Sequence, residues 1–296
     1  MLYNQPIPTM NNHTPSSPII STLEEILLQH DRRGISALRT HLPADNYLQT
    51  AEFALQRAAR VLIVTGFYVN GTAETDGPPG ALALAGGFSR LGSQVTLVSD
   101  RYGLPFLASD TSACKLVDFP ITGPEESRLY AKSLLDEIQP TLLISVERCG
   151  LTPEGVYRNM RSVDISPHTA RLDELFFGQE NSIGIGDGGN EIGMGLLYPQ
   201  LLQLPDLVKH PTSTATTRLL ISTVSNWAAC GLLGAMSRLS GQNLLPTVQE
   251  QSDVLHRIVD RGATNGVNGV CEYKVDGYDE AVNDGILEDI YRWVES

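Results

Sequence analysis

Ser182-Ile183-Gly184-Ile185-Gly186-Asp187-Gly188-Gly189-Asn190-Glu191-Ile192-Gly193-Met194-Gly195 is the stretch around which the chain is read. Its first four residues form a short β-compatible run. From Gly184 to Gly195, six of twelve residues are Gly, and the only charges are Asp187 and Glu191. Gly permits positive φ and the close approach of a ligand or a second backbone. Asp187, Asn190 and Glu191 place oxygen-bearing side chains on one strand-to-helix turn, the donor type that Mg²⁺, Mn²⁺ and Ca²⁺ take. A tight turn with an Asp or Asn helix cap explains part of this pattern. It does not explain so many Gly residues beside two acids and an amide. Residues 191–197 are expected to open a Gly-rich helix.

The flanking chain alternates. Residues 61–65, 95–98, 116–119, 141–146 and 218–224 read as strands, and the first, VLIVT, is apolar and β-branched like a buried parallel strand. Residues 44–60, 79–91, 124–138, 227–239, 245–259 and 278–294 read as helices, with 172–177 a shorter one. A capping-box pattern from Ser21 to Glu24 predicts a first helix to about Gln29 or beyond, interrupted by Gly34. Residues 148–167 read as an active-site loop, and residues 262–277 lack the period of either element. The alternation predicts an α/β fold: three layers, a mostly parallel sheet with helices on both faces, and a site at the C-terminal edge of the strands. The conspicuous polar residues fall at that edge. Glu74 and Asp76 follow the first strand, Asp100 the second, Glu147 and Arg148 the 141–146 strand, Asp187, Asn190 and Glu191 the Gly-rich strand, and Ser225 and Asn226 the last.

The 296 residues are 42% hydrophobic and carry 21 Lys and Arg against 34 Asp and Glu, a formal charge of −13. Such a balance argues against nucleic acid or an anionic membrane surface as a partner. No apolar run approaches the length of a membrane span. Residues 1–20 contain no Lys or Arg, unlike a secretory signal or a basic transit peptide, and read as a disordered tail ahead of one domain over residues 21–296. Cys114, Cys149, Cys230 and Cys271 form no C-x-x-C pair, which suggests a reducing, cytoplasmic setting. Cys149 sits in the suspect loop, where a buried thiol is the simpler reading than a nucleophile. The sequence leaves homo-oligomer formation open.

The Gly-rich stretch resembles the signature of the D-glutamate cyclase family. Glu74-Thr75-Asp76-Gly77-Pro78-Pro79-Gly80, Glu147-Arg148, Leu172-Asp173, Ser225-Asn226-Trp227 and Val275-Asp276-Gly277 agree with it in the family's order, from about Leu23 to the C-terminus. The resemblance implies a hydro-lyase that converts D-glutamate to 5-oxo-D-proline plus water. Asp187, Glu191, Glu74 and Asp76 are then the candidate catalytic residues, with Asp276 a further candidate from a late loop. Candidate ligands for a divalent cation (Mg²⁺, Mn²⁺ or Ca²⁺) are Asp187, Asn190, Glu191, Glu74 and Glu147. A small amino-acid substrate is expected to meet Arg148, Arg158 and Arg161, whose forks suit carboxylates, and Asn190, Asn226, Gly188 and Gly189.

Other readings of the residues stay open. Gly186-Asp187-Gly188-Gly189-Asn190-Glu191 also resembles the magnesium-holding turn of haloacid-dehalogenase phosphatases, but no Asp-x-Asp follows the first strand. A literal G-x-G-x-x-G runs from Gly184 to Gly189, yet an Asp inside a phosphate-binding turn would repel a pyrophosphate. A non-catalytic metal-binding protein would need no arginines in the site loops.

Overall fold

The structure is a computed structural model that describes residues 22–108 and 114–296. The expected N-terminal tail and Ser21 lie outside the described residues. Six strands form one all-parallel sheet: β1 Arg60–Thr65, β2 Gln94–Ser99, β3 Cys114–Asp118, β4 Leu142–Val146, β5 Ser182–Gly186 and β6 Arg218–Ile221. Their order is β3-β2-β1-β4-β5-β6. Val61 pairs with Val95 on one side and Leu142 on the other.

Alternate residues of the central strands enter two separate cores. Val61, Ile63, Leu142 and Ile144 pack with the helices α1 Leu23–Leu27, α2 Asn46–Leu55, α3 Pro78–Arg90, α5 Ser225–Ser240, α6 Val248–Asp260 and α7 Glu280–Glu295. Leu62, Val64 and Leu143 pack on the opposite face with Ala131 and Leu134 of α4 Pro124–Ile138 and with Leu172 and Leu175. Burial on both faces is why these strands read as continuous apolar runs. The three-layer expectation therefore holds. α5 is buried along nearly its whole length, which its Ala, Gly and Cys content allows.

Three local expectations change. The capping box is formed by Thr22 and Glu25, one residue later than the pattern that began at Ser21, and α1 ends at Leu27. Residues 191–194 are not helical; only a short 3₁₀ turn, Gly195–Leu197, and Tyr198–Leu201 follow the Gly-rich stretch. The reason is packing between backbones. Gly193, at φ +108°, crosses the face of β5 so closely that a Cβ on Gly184 would lie 2.5 Å from its Cα. The close approach that Gly permits here is made by the chain itself. Residues 274–279 form a two-stranded hairpin, Lys274–Val275 with Tyr278–Asp279, and α7 begins only at Glu280, with Asp279 as its N-cap.

The strand order reverses between β1 and β4. In an open parallel sheet the loops leaving the C-terminal ends of two such strands diverge to opposite faces and open a crevice. Glu74 and Asp76 follow β1, and Glu147 follows β4 directly, so both sides of that crevice carry acids.

Candidate active site in the β1–β4 crevice

A small hairpin inserted after β1, Tyr68–Val69 with Thr72–Ala73, turns at Asn70 and Gly71, both with positive φ. The Asn-Gly pair suits that two-residue turn. It returns the chain to Glu74, whose N–H donates to Phe67 O at 3.0 Å. Gly77 follows at φ +101°, where a Cβ would meet Thr65 Oγ1 at 2.6 Å, and α3 starts at Pro78.

Asp76 is buried beneath this loop and spends its carboxylate on α5. It accepts the backbone N–H groups of Ser225 and Asn226, each at 2.8 Å, and that of Gly77 at 3.0 Å. α5 has no capping side chain of its own, so Asp76 serves as a remote N-cap. Asn226 answers from the helix. Its Oδ1 accepts from Gly77 and Gly80, and its Nδ2 donates to Thr75 O. Glu147 adopts a positive φ of +42°, uncommon for a side chain of its size, and accepts from Ser225 Oγ at 2.7 Å.

The Gly-rich turn is organised from within. Glu191 folds back so that its two oxygens accept the N–H groups of Gly188 (2.9 Å) and Gly189 (2.8 Å). Asp187 is fully buried and pairs with Arg33, which also reaches Asp276 Oδ2 at 3.2 Å. Asp276 arrives on the turn of the late hairpin, where Asp276 and Gly277 both have positive φ. Sequence reasoning missed Arg33. The signal nearest to it is the Asp31-x-x-Gly34 turn, in which Asp31 accepts from the N–H groups of Arg33, Gly34 and Ser36.

These elements enclose a cavity of about 330 Å³. Arg33, Glu74, Glu147, Asn190, Glu191 and Asp276 line its depth, and Arg161, Asp164 and His168 stand among its outer wall. Two sets of three carboxylates, Asp76/Asp187/Asp276 and Glu147/Asp187/Glu191, each bring one oxygen apiece within 4.8 Å of one another. Burial drives the acids toward their neutral forms, and mutual repulsion adds to it. Asp76 is raised to about 8 by burial and by Asp276, against the pull of its three N–H donors. Burial, then Asp276 and Asp76, raise Glu74 well above the carboxylate range, and burial, then Asp187 and Glu191, raise Glu147. Asp187 is also raised by burial, although Arg33 opposes the shift. Burial works against the Arg33 charge too, but Asp187, Asp276, Glu147 and Glu191 together hold it well above its ordinary value. The cluster is short of positive charge, and the set fits a hard cation: all-oxygen ligands, two convergent triads and a buried Asp187 Oδ2 whose partner is the Arg33 guanidinium.

Residues 23–291 match the model of the family described as D-glutamate cyclase-like, C-terminal. The chain belongs to that family. It is 26% identical over 311 residues to the human protein D-glutamate cyclase, mitochondrial, an alignment covering 88% of this chain and 49% of the human one. The chain thus spans about half the length of that curated relative. Among solved structures, an exopolyphosphatase-related protein from Bacteroides fragilis aligns at a TM-score of 0.41 and 13% identity, over 85% of this chain and 60% of that one.

The remaining candidates of this family member separate by position. Arg161 lines the cavity mouth and donates to Val267 O at 2.6 Å. Asn190 lines the cavity, with its Nδ2 on Arg158 O. Arg158 itself turns to Ser162 O. Arg148 does not face the cavity: it is buried at 1% exposure and donates to Asp100, Gly66 O and Ala170 O. Asn226 holds the loop rather than the cavity wall, and the N–H groups of Gly188 and Gly189 are already taken by Glu191. Cys149 is buried, and burial pushes its thiol well above the ordinary range, which does not suit a nucleophile. All four cysteines are free. Among the described residues no helix is long and apolar enough to cross a membrane.

Proposed function

We propose that this domain is a hydro-lyase that cyclises D-glutamate to 5-oxo-D-proline and water, working with a divalent cation. The observation that carries the reading is the convergence of acids in a member of this family: Glu74, Glu147, Glu191 and Asp276 line one cavity, and the buried Asp76 and Asp187 complete the two carboxylate triads. The reaction forms a bond between the α-nitrogen and the γ-carboxyl carbon. One γ-oxygen leaves as water with two of the three ammonium protons, and the third stays on the lactam nitrogen. Something must therefore take protons from an ammonium and return them to oxygen. A buried carboxyl whose affinity for protons is raised by burial and by neighbouring acids, Glu74 at the cavity wall, suits that shuttle.

Charge selects the ligands. A substrate with two carboxylates is repelled by an acidic cluster unless positive charge accompanies it. Arg33 and Arg161 supply part of this charge at the cavity. Asp187, Glu191 and Glu147 are the residues that would hold a divalent cation, which as a Lewis acid would make the γ-carboxylate a better electrophile. Asn190 beside Glu191 offers a further amide oxygen on the same wall.

The test is chemical. Protein supplied with Mg²⁺ or Mn²⁺ is incubated with D-glutamate, and 5-oxoproline is followed by mass spectrometry. Product should form from the D-isomer in preference to the L-isomer, and a chelator should stop it. Asp187→Asn should weaken the cation in equilibrium dialysis with little loss of fold. Release of phosphate from an aryl phosphate, abolished by Asp187→Asn, with no turnover of D-glutamate, would replace this reading by a phosphatase.

A further inference from the structure

Arg33 stands where a bound cation would have to compete with it. Its guanidinium reaches Asp187, and Asp276 at 3.2 Å. Asp187 belongs to both convergent triads, and Asp276 to one of them. The Asp187 oxygen paired with Arg33 is buried and receives no other hydrogen bond among the described residues, so the guanidinium supplies its compensation within the protein. A divalent ion would approach that oxygen at roughly 2.0–2.6 Å. The guanidinium cannot keep the same place, both for space and because like charges repel.

The loop that carries Arg33 is held by contacts that do not involve its guanidinium. Asp31 accepts the backbone N–H groups of Arg33, Gly34 and Ser36, Tyr278 Oη donates to His30 O at 2.6 Å, and the Arg32 guanidinium lies 4.6 Å from the centre of the Tyr278 ring. The side chain of Arg33 is 27% exposed and lines the cavity. The backbone is therefore fixed while a long, rotatable side chain borders open space.

We propose that Arg33 is an exchangeable counterion: it neutralises Asp187 and Asp276 until a divalent cation takes those carboxylates, and the released guanidinium then anchors a carboxylate of the substrate. The exchange rests on the cation part of the cyclase reading, and the anchoring step rests on its amino-dicarboxylate substrate. It makes binding ordered, with the cation first and the anionic substrate second. It also makes Arg33 a residue that touches substrate only in the loaded protein.

Mn²⁺ binding, read by electron paramagnetic resonance, is compared in the wild type, Arg33→Met and Arg33→Lys, with circular dichroism to confirm the fold. Removing a competing positive charge should tighten Mn²⁺ roughly tenfold in Arg33→Met. Arg33→Lys should stay nearer the wild type. With Mn²⁺ saturating, calorimetric titration of D-glutamate should show binding to the wild type weakened at least about tenfold in Arg33→Met, as loss of a charged fork predicts. A folded Arg33→Met that binds Mn²⁺ no more tightly than the wild type overturns the exchange and leaves the cyclase reading standing. A wild type that binds no Mn²⁺ overturns both the exchange and the cation. Should Arg33→Met fail to fold, the wild type labelled with ¹⁵N-arginine answers alone. Its Arg33 side-chain resonance must move on addition of Mg²⁺, and an unmoved resonance at saturation overturns the proposal.

Discussion

Asp76 and Asn226 clasp each other in both directions. The Asp76 carboxylate accepts the N–H of Asn226 at 2.8 Å, and Asn226 Oδ1 accepts the N–H of Gly77, the residue after Asp76, at 3.0 Å. One acid loop and one helix N-terminus are thereby fixed as a unit, with Glu74 on the loop and Glu147 bonded to Ser225 at the helix end. Asn226→Ala should strip the partner from the N–H of Gly80 and the donor from Thr75 O, leaving the Gly77 N–H to Asp76 alone. The expected loss of stability is about 2–3 kcal/mol, the size set by unsatisfied buried donors. Denaturant unfolding measures it, and an unchanged midpoint would show that the clasp is dispensable.

Arg148 provides a contrast between binding and structure. It is buried against Asp100 and two carbonyls rather than at the cavity. Arg148→Met leaves the buried Asp100 with the N–H groups of Tyr102 and Ala170 but without its counter-charge, and should cost about 3–5 kcal/mol of stability. A variant with wild-type melting behaviour but weakened substrate binding would contradict this placement.

The proton balance of the acid cluster predicts a pH dependence opposite to that of a salt-bridged carboxylate. Asp76 is raised to about 8, and Glu74 and Glu147, which have no cationic partner in contact among the described residues, move in the same direction. Between about pH 4, where free carboxyls ionise, and about pH 8, the folded chain holds protons that the unfolded chain has released. Stability of the cation-free protein should therefore fall as pH rises through that window. Thermal melts in chelator near pH 5.5 and near pH 8 test the sign, and a saturating divalent cation should flatten the trend. A cation-free melting temperature that climbs with pH would mean the acids are ionised in the fold.

Glu191→Gln keeps size but turns one acceptor into a donor. Gly188 and Gly189 each present an N–H to the two Glu191 oxygens, so one of them would face an NH₂ group. The turn should lose about 1–3 kcal/mol, and divalent-ion affinity should fall with the lost charge. Calorimetric titration of Mn²⁺ checks the second effect. Undiminished affinity would remove Glu191 from the cation site.

The cysteines should react in the order of their exposure. Cys271 is exposed, Cys114 is half-buried, and Cys149 and Cys230 are buried, the Cys230 thiol being pushed up to about 12 by burial. A thiol reagent should label Cys271 first and reach Cys149 and Cys230 only on unfolding. Rapid labelling of Cys149 in the folded protein would reopen a nucleophilic role for it.

The sequence by itself determined the parallel sheet and the edge that carries the site. Strands such as Val61-Leu62-Ile63-Val64 are buried on both faces, so their composition states their environment without help from partners. The run from Gly184 to Gly195 was legible as a place of positive φ and close backbone approach, and the acids at the strand ends as a cluster. Only the tertiary structure decided what each polar side chain does. Arg33, Arg148 and Arg161 are the same residue type in polar stretches of the chain. One pairs with Asp187 in the acid cluster, one is a buried tie to Asp100, and one stands at the cavity mouth. Asp276 meets Asp187 because a hairpin turn and the end of β5 arrive at one place. Hydrophobic period and turn chemistry are local signals carried by neighbours in sequence. A charge takes its role from whichever partner, donor or water it meets in space, and those meetings are set by the packing of elements far apart along the chain.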